Sequence, residues 1–567
     1  MLTAKRWNMR LSYSNIIFII QTITLLQGQD LAPNNYSLNK VSSDSSFQSG
    51  LVSNTIAEIR LMGDSLTWFG TGQGLSLYNG EKVYSHISTQ DSMTDRSSTN
   101  ILPYGGIPAI AVLDNTDTMA VAFSGDNGVI QVGHGLALTF NAIDSGGIDW
   151  LYLQQPTDQG EEDSILHFFG EGSFYGLPVT VPEANVTYDA SLTEEYLWTA
   201  SWAGGLRRYN LDLDIWEVIP LPMDNQDSLS LCEGFLPPDN QDRKILPNYF
   251  LNPRDPPQGN HNHKAFSILV FEDTLWVGTA NGINKGVIID EWLSDSDGDG
   301  LPEKLNCIRW VHYSYPNHNL SGNFVVDIER QAWNNTIWAA TVNADSPGEL
   351  RGLSYTKDGG LTWSNTLLGE RVYNIFTKDS LIFASSQSGL WKSFDGVNWA
   401  VYDSPVDTTF MSQGQILSDV VYTSVIDDRD GVMNLWVGTP NGVAYSNNLQ
   451  GSSWNVFQTE YDTLDFYAYP NPFSPMNHNQ LDGDGYVRFH TGKIANTQIE
   501  LDIFNFAMEK VYKRAFDLVS YNGALKWNGR DLNNNLVDNG VYFIRMKYSP
   551  SLYQNPSYHW DKLIVIK

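Results

Sequence analysis

The chain has 567 residues, more than one small core accommodates, and its 42% hydrophobic content excludes disorder as its general state. Its 34 basic against 64 acidic side chains give a formal charge of −30, which argues against nucleic acid as a partner, because phosphate contacts need lysine and arginine. Forty-seven Gly, 24 Pro and 18 Trp suit short strands and many turns rather than long helices.

Residues 1–29 carry Lys5, Arg6 and Arg10 ahead of an apolar run from Ile16 to Leu26, the pattern of an export signal; a buried N-terminal strand or helix is the alternative. The run is too short to span a bilayer, and no later segment is apolar for long enough, so no transmembrane segment is expected after signal removal. Charge divides the rest. Residues 30–460 hold 20 basic and 53 acidic side chains, whereas 461–567 hold 11 of each, which points to a boundary near 460. The acidic surface serves solubility and attracts cations. Two cysteines, Cys232 and Cys307, form one disulfide or remain separate thiols; sequence does not bring them together.

Seven related segments organise the middle of the chain. The strongest are Leu275–Gly282 (LWVGTANG) and Leu435–Gly442 (LWVGTPNG). Aligned on Trp68, Val121, Trp198, Trp276, Trp338, Phe383 and Trp436, the copies are spaced by 53, 77, 78, 62, 45 and 53 residues. Each reads as a β-branched and aromatic strand running into a Gly or Asn-Gly turn, where positive φ is needed. An apolar alternation precedes most copies, another strand follows, and a Trp-bearing strand comes last in four of them (Trp216, Trp363, Trp399, Trp454). Four strands at this period predict an all-β fold: a seven-bladed β-propeller over 30–460, in which blades that cannot cover their own faces stack around an axis. A parallel β-helix or several sandwiches are the alternatives. The two long spacings place insertions near 142–192 and 220–262, read as binding loops or as plain decoration.

The LWVGT-x-NG copies resemble propeller repeats of sensor domains in bacterial two-component regulators and of related secreted propellers. Thr356–Trp363 (TKDGGLTW) resembles the Asp-box turn of sialidase-like propellers, and Ser393–Trp399 is a copy one residue short. That resemblance implies structural roles: Asp358 accepting backbone N–H groups, Gly360 at positive φ and Trp363 packed between blades. It does not make Asp358 or Asp395 catalytic.

From Tyr469 the texture changes to YPNPF, Ile499–Phe504, Leu525–Asp531, Asn539–Arg545 and Lys562–Lys567, alternating strands joined by Asn/Gly turns. They predict a small Ig-like antiparallel β-sandwich over 467–567. The order of these segments resembles the C-terminal sorting domain of type IX secretion systems and the Ig-like domain of the flagellar hook-cap family. Asn505–Glu509 departs from that pattern, and a spacer with no sorting duty is the alternative. The resemblance implies recognition of 467–567 by secretion machinery and a location outside a Gram-negative-type bacterium or on its outer surface.

One ligand-like cluster stands out. Asp295, Asp297 and Asp299 occupy loop positions 1, 3 and 5, with Gly at 6, the Leu301 carbonyl at 7 and Glu303 at 9. That matches a structural calcium loop, although position 12 is Asn306; an acidic solvated turn is the alternative. Histidines 261, 263, 312 and 318 make no catalytic spacing, and there is no GxSxG or phosphate loop. The expected function is therefore binding of a glycan or envelope protein at the cell surface, without chemistry. The alternative is a secreted glycoside hydrolase or polysaccharide lyase with carboxylates in the propeller funnel.

Overall fold

The computed structural model describes residues 47–86, 102–126, 131–143, 148–158, 163–170, 172–180, 185–232, 244–293, 303–342, 347–402, 416, 418–459, 466–476, 478, 485–490, 498–517, 525–548 and 556–567. Among them there is no α-helix; a short 3-10 turn, His261–His263, interrupts an otherwise all-β chain. The proposed export segment 1–29 lies outside these residues.

Seven antiparallel sheets follow one another, each a meander of consecutive strands in its central part. Their first strands are Ile56–Met62, Gly106–Val112, Thr187–Leu192, Ala265–Phe271, Phe324–Gln331, Val372–Lys378 and Thr423–Asp427. Each first strand lies against the first strand of the next sheet, and that of the seventh lies against that of the first, so the order closes on itself. The fold is a β-propeller.

All seven repeat copies form the second strand of their sheets. The aligned side chains Trp68, Val121, Trp198, Trp276, Trp338, Phe383 and Trp436 are all at most 2% exposed. A sheet with two covered faces needs bulk to reach its neighbour, and indole supplies it. Trp436 of the last sheet packs 5.3 Å from Phe69 and 5.0 Å from Tyr78 of the first. The Thr that ends the motif closes the following turn: Thr439 Oγ1 donates to the Gly442 carbonyl (2.8 Å) and accepts the Asn441 N–H (3.0 Å), with Gly442 at φ 121°.

Among the described residues, the seam between first and last sheets shares no strand. The extra strand Phe47–Ser49 pairs with Val83–His86 of its own sheet. Side chains and one main-chain bond cross the seam instead. Arg429 donates through Nη1 to the carbonyls of Met62 (2.9 Å), Gly63 (3.1 Å) and Leu66 (2.7 Å), and through Nη2 to Thr67 Oγ1 (3.2 Å). Asn54 adds its carbonyl to Gly442 N–H (2.6 Å) and its side chain to Thr459 N–H (2.6 Å).

The insertions are folded, and they fold together. Residues 151–153 still belong to the second sheet and 187–192 already open the third, so the first insertion is shorter than its spacing suggests. Its strands Ile165–Phe169 and Gly172–Gly176 join Lys244–Leu251 of the second insertion in one three-stranded sheet. Phe169, Phe174, Leu246, Tyr249 and Leu251 pack with Trp198 and Leu206 of the third sheet. Ser228–Ser230 adds to the outer edge of the fourth sheet beside Glu303–Tyr313. Cys232 and Cys307 continue that register and form a disulfide. Of the four Trp-bearing last strands expected, Trp216 lies in its strand, but Trp363, Trp399 and Trp454 sit just before theirs, in the turn.

Residues 466–565 build a separate core from two sheets: Tyr467–Tyr469, Val487–His490 and Leu525–Trp527 against Gln498–Phe504, Lys510–Asp517, Gly540–Tyr548 and Ser557–Val565. Val487, Phe489, Ile499, Leu501, Ile503 and Ile544 are fully buried between them. Period-2 alternation puts every second residue of these strands inward.

Candidate functional site: the axial channel

The first strands line the axis, and a shared irregularity arranges what they present. Register shifts occur just before Glu58, Asp189, Ser267, Asp327 and Asn374. A bulge re-aims the residue that follows it. Asp189 Oδ2 accepts the Ile268 N–H of the next sheet (2.8 Å), and Asp327 Oδ2 accepts Asn374 Nδ2 (3.2 Å) and the Ile375 N–H (2.5 Å). Two residues on, Glu329 Oε1 accepts the Thr377 N–H (3.3 Å) and hydroxyl (3.0 Å). These carboxylates bolt the third sheet to the fourth and the fifth to the sixth.

Glu58 pairs with Arg60 of its own strand (2.7 Å), and Arg60 Nε donates to the Ile110 carbonyl of the second sheet (3.1 Å). Arg60 feels the charges of Glu58, Asp189, Asp327 and Glu329, from three sheets. Arg60 thus touches Glu58 and is held charged by the other three carboxylates at longer range. Burial raises Glu58 and Glu329 to about 7 and Asp189 to about 6, against the pull of Arg60. Burial, reinforced by Asp189, raises Asp327 well above its usual value. Burial thus favours the protonated form of all four carboxyls. Sequence carries no direct sign of this convergence. The one usable signal is register: the bulge residues Glu58, Asp189 and Asp327 pair with the Gly70, Ala200 and Ala340 positions of the repeat motif.

Aromatic side chains stand where the first strands begin. Tyr188 packs 5.5 Å from Phe266, Phe266 4.4 Å from Phe324, and Tyr373 5.3 Å from Tyr422. Trp202, in the turn after the third sheet's repeat strand, packs 5.5 Å from Phe266. Cations lie over two of these rings: Lys264 Nζ is 4.7 Å from the Trp202 centroid and Arg371 is 5.5 Å from that of Tyr373.

The residues singled out from sequence fall as follows. Asp295, Asp297, Asp299 and Leu301 lie outside the described residues; Glu303 begins the strand Glu303–Tyr313. Among the described residues no cluster of His, Cys, Asp and Glu has metal-binding geometry. Asp358 accepts the Thr362 N–H (2.9 Å) and the hydroxyls of Thr362 (2.6 Å) and Thr356 (2.8 Å), which hold its carboxyl down at about 2. Gly360 has φ 99°, and Trp363 packs 6.1 Å from Trp276 of the preceding sheet. Asp395 accepts the N–H groups of Val397 and Asn398, both at 2.8 Å, within its own turn. His263 is buried, accepting the Asn252 N–H (2.8 Å) beside the Tyr249 hydroxyl, and burial lowers it to about 4. It is a core histidine. No described helix is long and apolar enough to cross a membrane.

No protein-family model and no curated protein matches the chain. Similar solved structures include PorZ, described as an essential bacterial surface component of the type-IX secretion system of Porphyromonas gingivalis, at 14% identity and TM-score 0.37. That alignment covers 91% of this chain and 60% of the other, so the chain spans about three fifths of that protein's length. BamB from Moraxella catarrhalis is 9% identical over 73% of this chain and 99% of that one, with TM-score 0.34. The WD40 β-propeller domain of Doa1 is 9% identical over 74% and 98%, with TM-score 0.35.

Proposed function

We propose that the chain is an exported seven-bladed β-propeller, residues 30–460, that binds a glycan or an envelope protein at the mouth of its channel. An Ig-like module, 467–567, delivers it through secretion machinery to the outside or outer surface of a Gram-negative-type bacterium. The observation that carries the binding reading is the aromatic arc. Tyr188, Trp202, Tyr373 and Tyr422 are partly open, and Lys264 and Arg371 are held over ring faces. Flat rings beside fixed cations suit stacking against sugar rings or an extended polar chain. The turns at Asp358 and Asp395 act as Asp-boxes, and the loop Asp295–Glu303 holds a structural calcium. A glycan array with the full chain tests the reading. Retained ligands should be lost in Trp202→Ala and Tyr373→Ala; ligands kept by both variants would move the site elsewhere. Equal calcium uptake by Asp297→Ala and wild type in titration calorimetry would remove the metal.

One observation favours a second reading, a glycoside hydrolase or polysaccharide lyase. Burial raises Glu58 and Glu329 to about 7, the range a general acid needs. Against it, Glu329 is engaged by Thr377 and Asp327 by Ile375. Release of reducing ends that disappears in both Glu58→Gln and Glu329→Gln would establish the enzyme; polysaccharides left intact by wild type would leave the binding reading.

A further inference from the structure

The larger sheet of the C-terminal module buries one face and leaves the other bare. Register sets the bare face out in rows across the four strands. One row reads Lys510, Phe504, Phe543, Lys562; the next Lys513, Asp502, Arg545, Trp560; the third Ala515, Glu500, Lys547, Tyr558. Asp502 is wholly buried although it points away from the core. It is bonded by Lys510 (2.8 Å) and by Arg545. Arg545 in turn lies 5.2 Å from the Phe504 ring, 5.5 Å from Trp560 and 5.6 Å from Tyr558. The arginine and its aromatic neighbours are thereby fixed before anything binds. Yet Trp560 and Tyr558 remain 50% exposed, and Phe506, stacked near Phe543, is 79% exposed. Trp, Tyr and Arg held rigid on an exposed apolar surface are the composition of an interface centre.

The three rows carry five cations, Lys510, Lys513, Arg545, Lys547 and Lys562, against two carboxylates, Glu500 and Asp502, with Asp517 next in register beyond them, in a chain whose 30–460 region has 53 acidic and 20 basic side chains. The module meets the propeller through the opposite sheet, where Arg488 pairs with Asp419 and both side chains are at most 11% exposed. Strand addition at the neighbouring edge is blocked near the C-terminus, because Asn471 donates to the Lys562 carbonyl and accepts the Ile564 N–H. The face itself is open, and an acidic surface is its complement.

We propose that this basic aromatic face docks on the acidic propeller surface of a second copy of the chain, head to tail. Such a contact joins unlike surfaces and extends into chains unless its rotation closes a ring. Sedimentation velocity on the full chain tests it. At low salt the sedimentation coefficient of wild type should rise with concentration, and it should fall back to the monomer value at about 0.5 M salt, where screening is strong. Lys547→Glu/Lys562→Glu should remain monomeric, and Trp560→Ala should weaken association at least about tenfold. Unchanged circular dichroism and melting would show that both variants fold. A wild type that stays monomeric at every concentration and salt would overturn the proposal. So would association that persists in the Lys547→Glu/Lys562→Glu variant. Retention of a polyanionic glycan such as polygalacturonate by a chain that stays monomeric would give the face to a polysaccharide instead.

Discussion

Arg429→Ala removes the guanidinium that joins the last sheet to the first. Five N–H donors are at stake. Nε and Nη2 hold Asp427 at 2.8 Å each, and the other contacts go to Met62, Gly63, Leu66 and Thr67. Both partners of the Asp427 pair are largely enclosed, at 17% and 15% exposure. Hydrogen bonds to charged groups contribute about 1.5–3 kcal/mol apiece and do not add fully. Removal also leaves Asp427 without its charge partner, although the residue-429 N–H still donates to it, and takes a donor from three carbonyls, so the total cost is about 3–5 kcal/mol. Unfolding entropy of about 2.1 cal/mol/K per residue gives roughly 0.85 kcal/mol/K for a unit of about 400 residues, and hence a fall in Tm of about 4–6 °C. Calorimetry on wild type, Arg429→Ala and Arg429→Lys checks this. Lysine offers a point charge without the fork, so its Tm should lie between the other two. An alanine variant within about a degree of wild type would show that the seam does not depend on this residue.

The remaining predictions concern pH and covalent closure. Glu329 is raised from 4.5 to about 7 in the folded chain, so the folded state binds its proton more tightly than the unfolded state. Its stabilising contribution is complete below pH 4.5 and is lost as pH rises through 7. Glu329→Gln keeps an acceptor for Thr377 and removes that dependence. The variant should therefore gain about 1–3 kcal/mol relative to wild type between pH 5 and 8, read by denaturant melts at each pH; parallel curves would refute the shift. His167 and His263, lowered to about 4 by burial, act oppositely: both forms should lose stability as pH falls from 6.5 towards 4. Cys232→Ser/Cys307→Ser opens a link spanning 75 residues and should cost about 4 kcal/mol of stability. Reduction of wild type should reproduce that loss in the same melts; no loss in either experiment would mean that strand pairing alone holds the insertion.

Periodicity carried much of the architecture. Six of the seven repeat copies announce themselves by a buried aromatic ring, a small residue two positions on and then a hydroxyl, whereas the second has Val121, Phe123 and Ser124 in those places. Trp276, Gly278 and Thr279 show all three. The C-terminal alternation likewise revealed its two sheets, since Ile499, Leu501 and Ile503 point one way. Other features depend on what lies opposite in space. Arg429 resembles any turn arginine until Leu66, more than three hundred residues earlier, is placed beside it. Asp189 and Asp327 look like surface carboxylates because their acceptors serve N–H groups of the next sheet. The insertions read as loops because their shared sheet pairs Gly172–Gly176 with Lys244–Leu251 in parallel, a contact without local signature. Burial of Asp502 on an outward face defeats a two-letter pattern altogether.

Closure of the ring is the claim on which the channel and its mouth depend. Spin labels at Ser65 and Asp430, both exposed and flanking the Arg429–Leu66 contact, measure it by electron–electron dipolar coupling. The account predicts a single narrow distribution at the short end of the measurable range. Sheets stack about 10 Å apart, so an open array of the same seven would separate the labels by about 60 Å, and a distribution centred there would contradict the account.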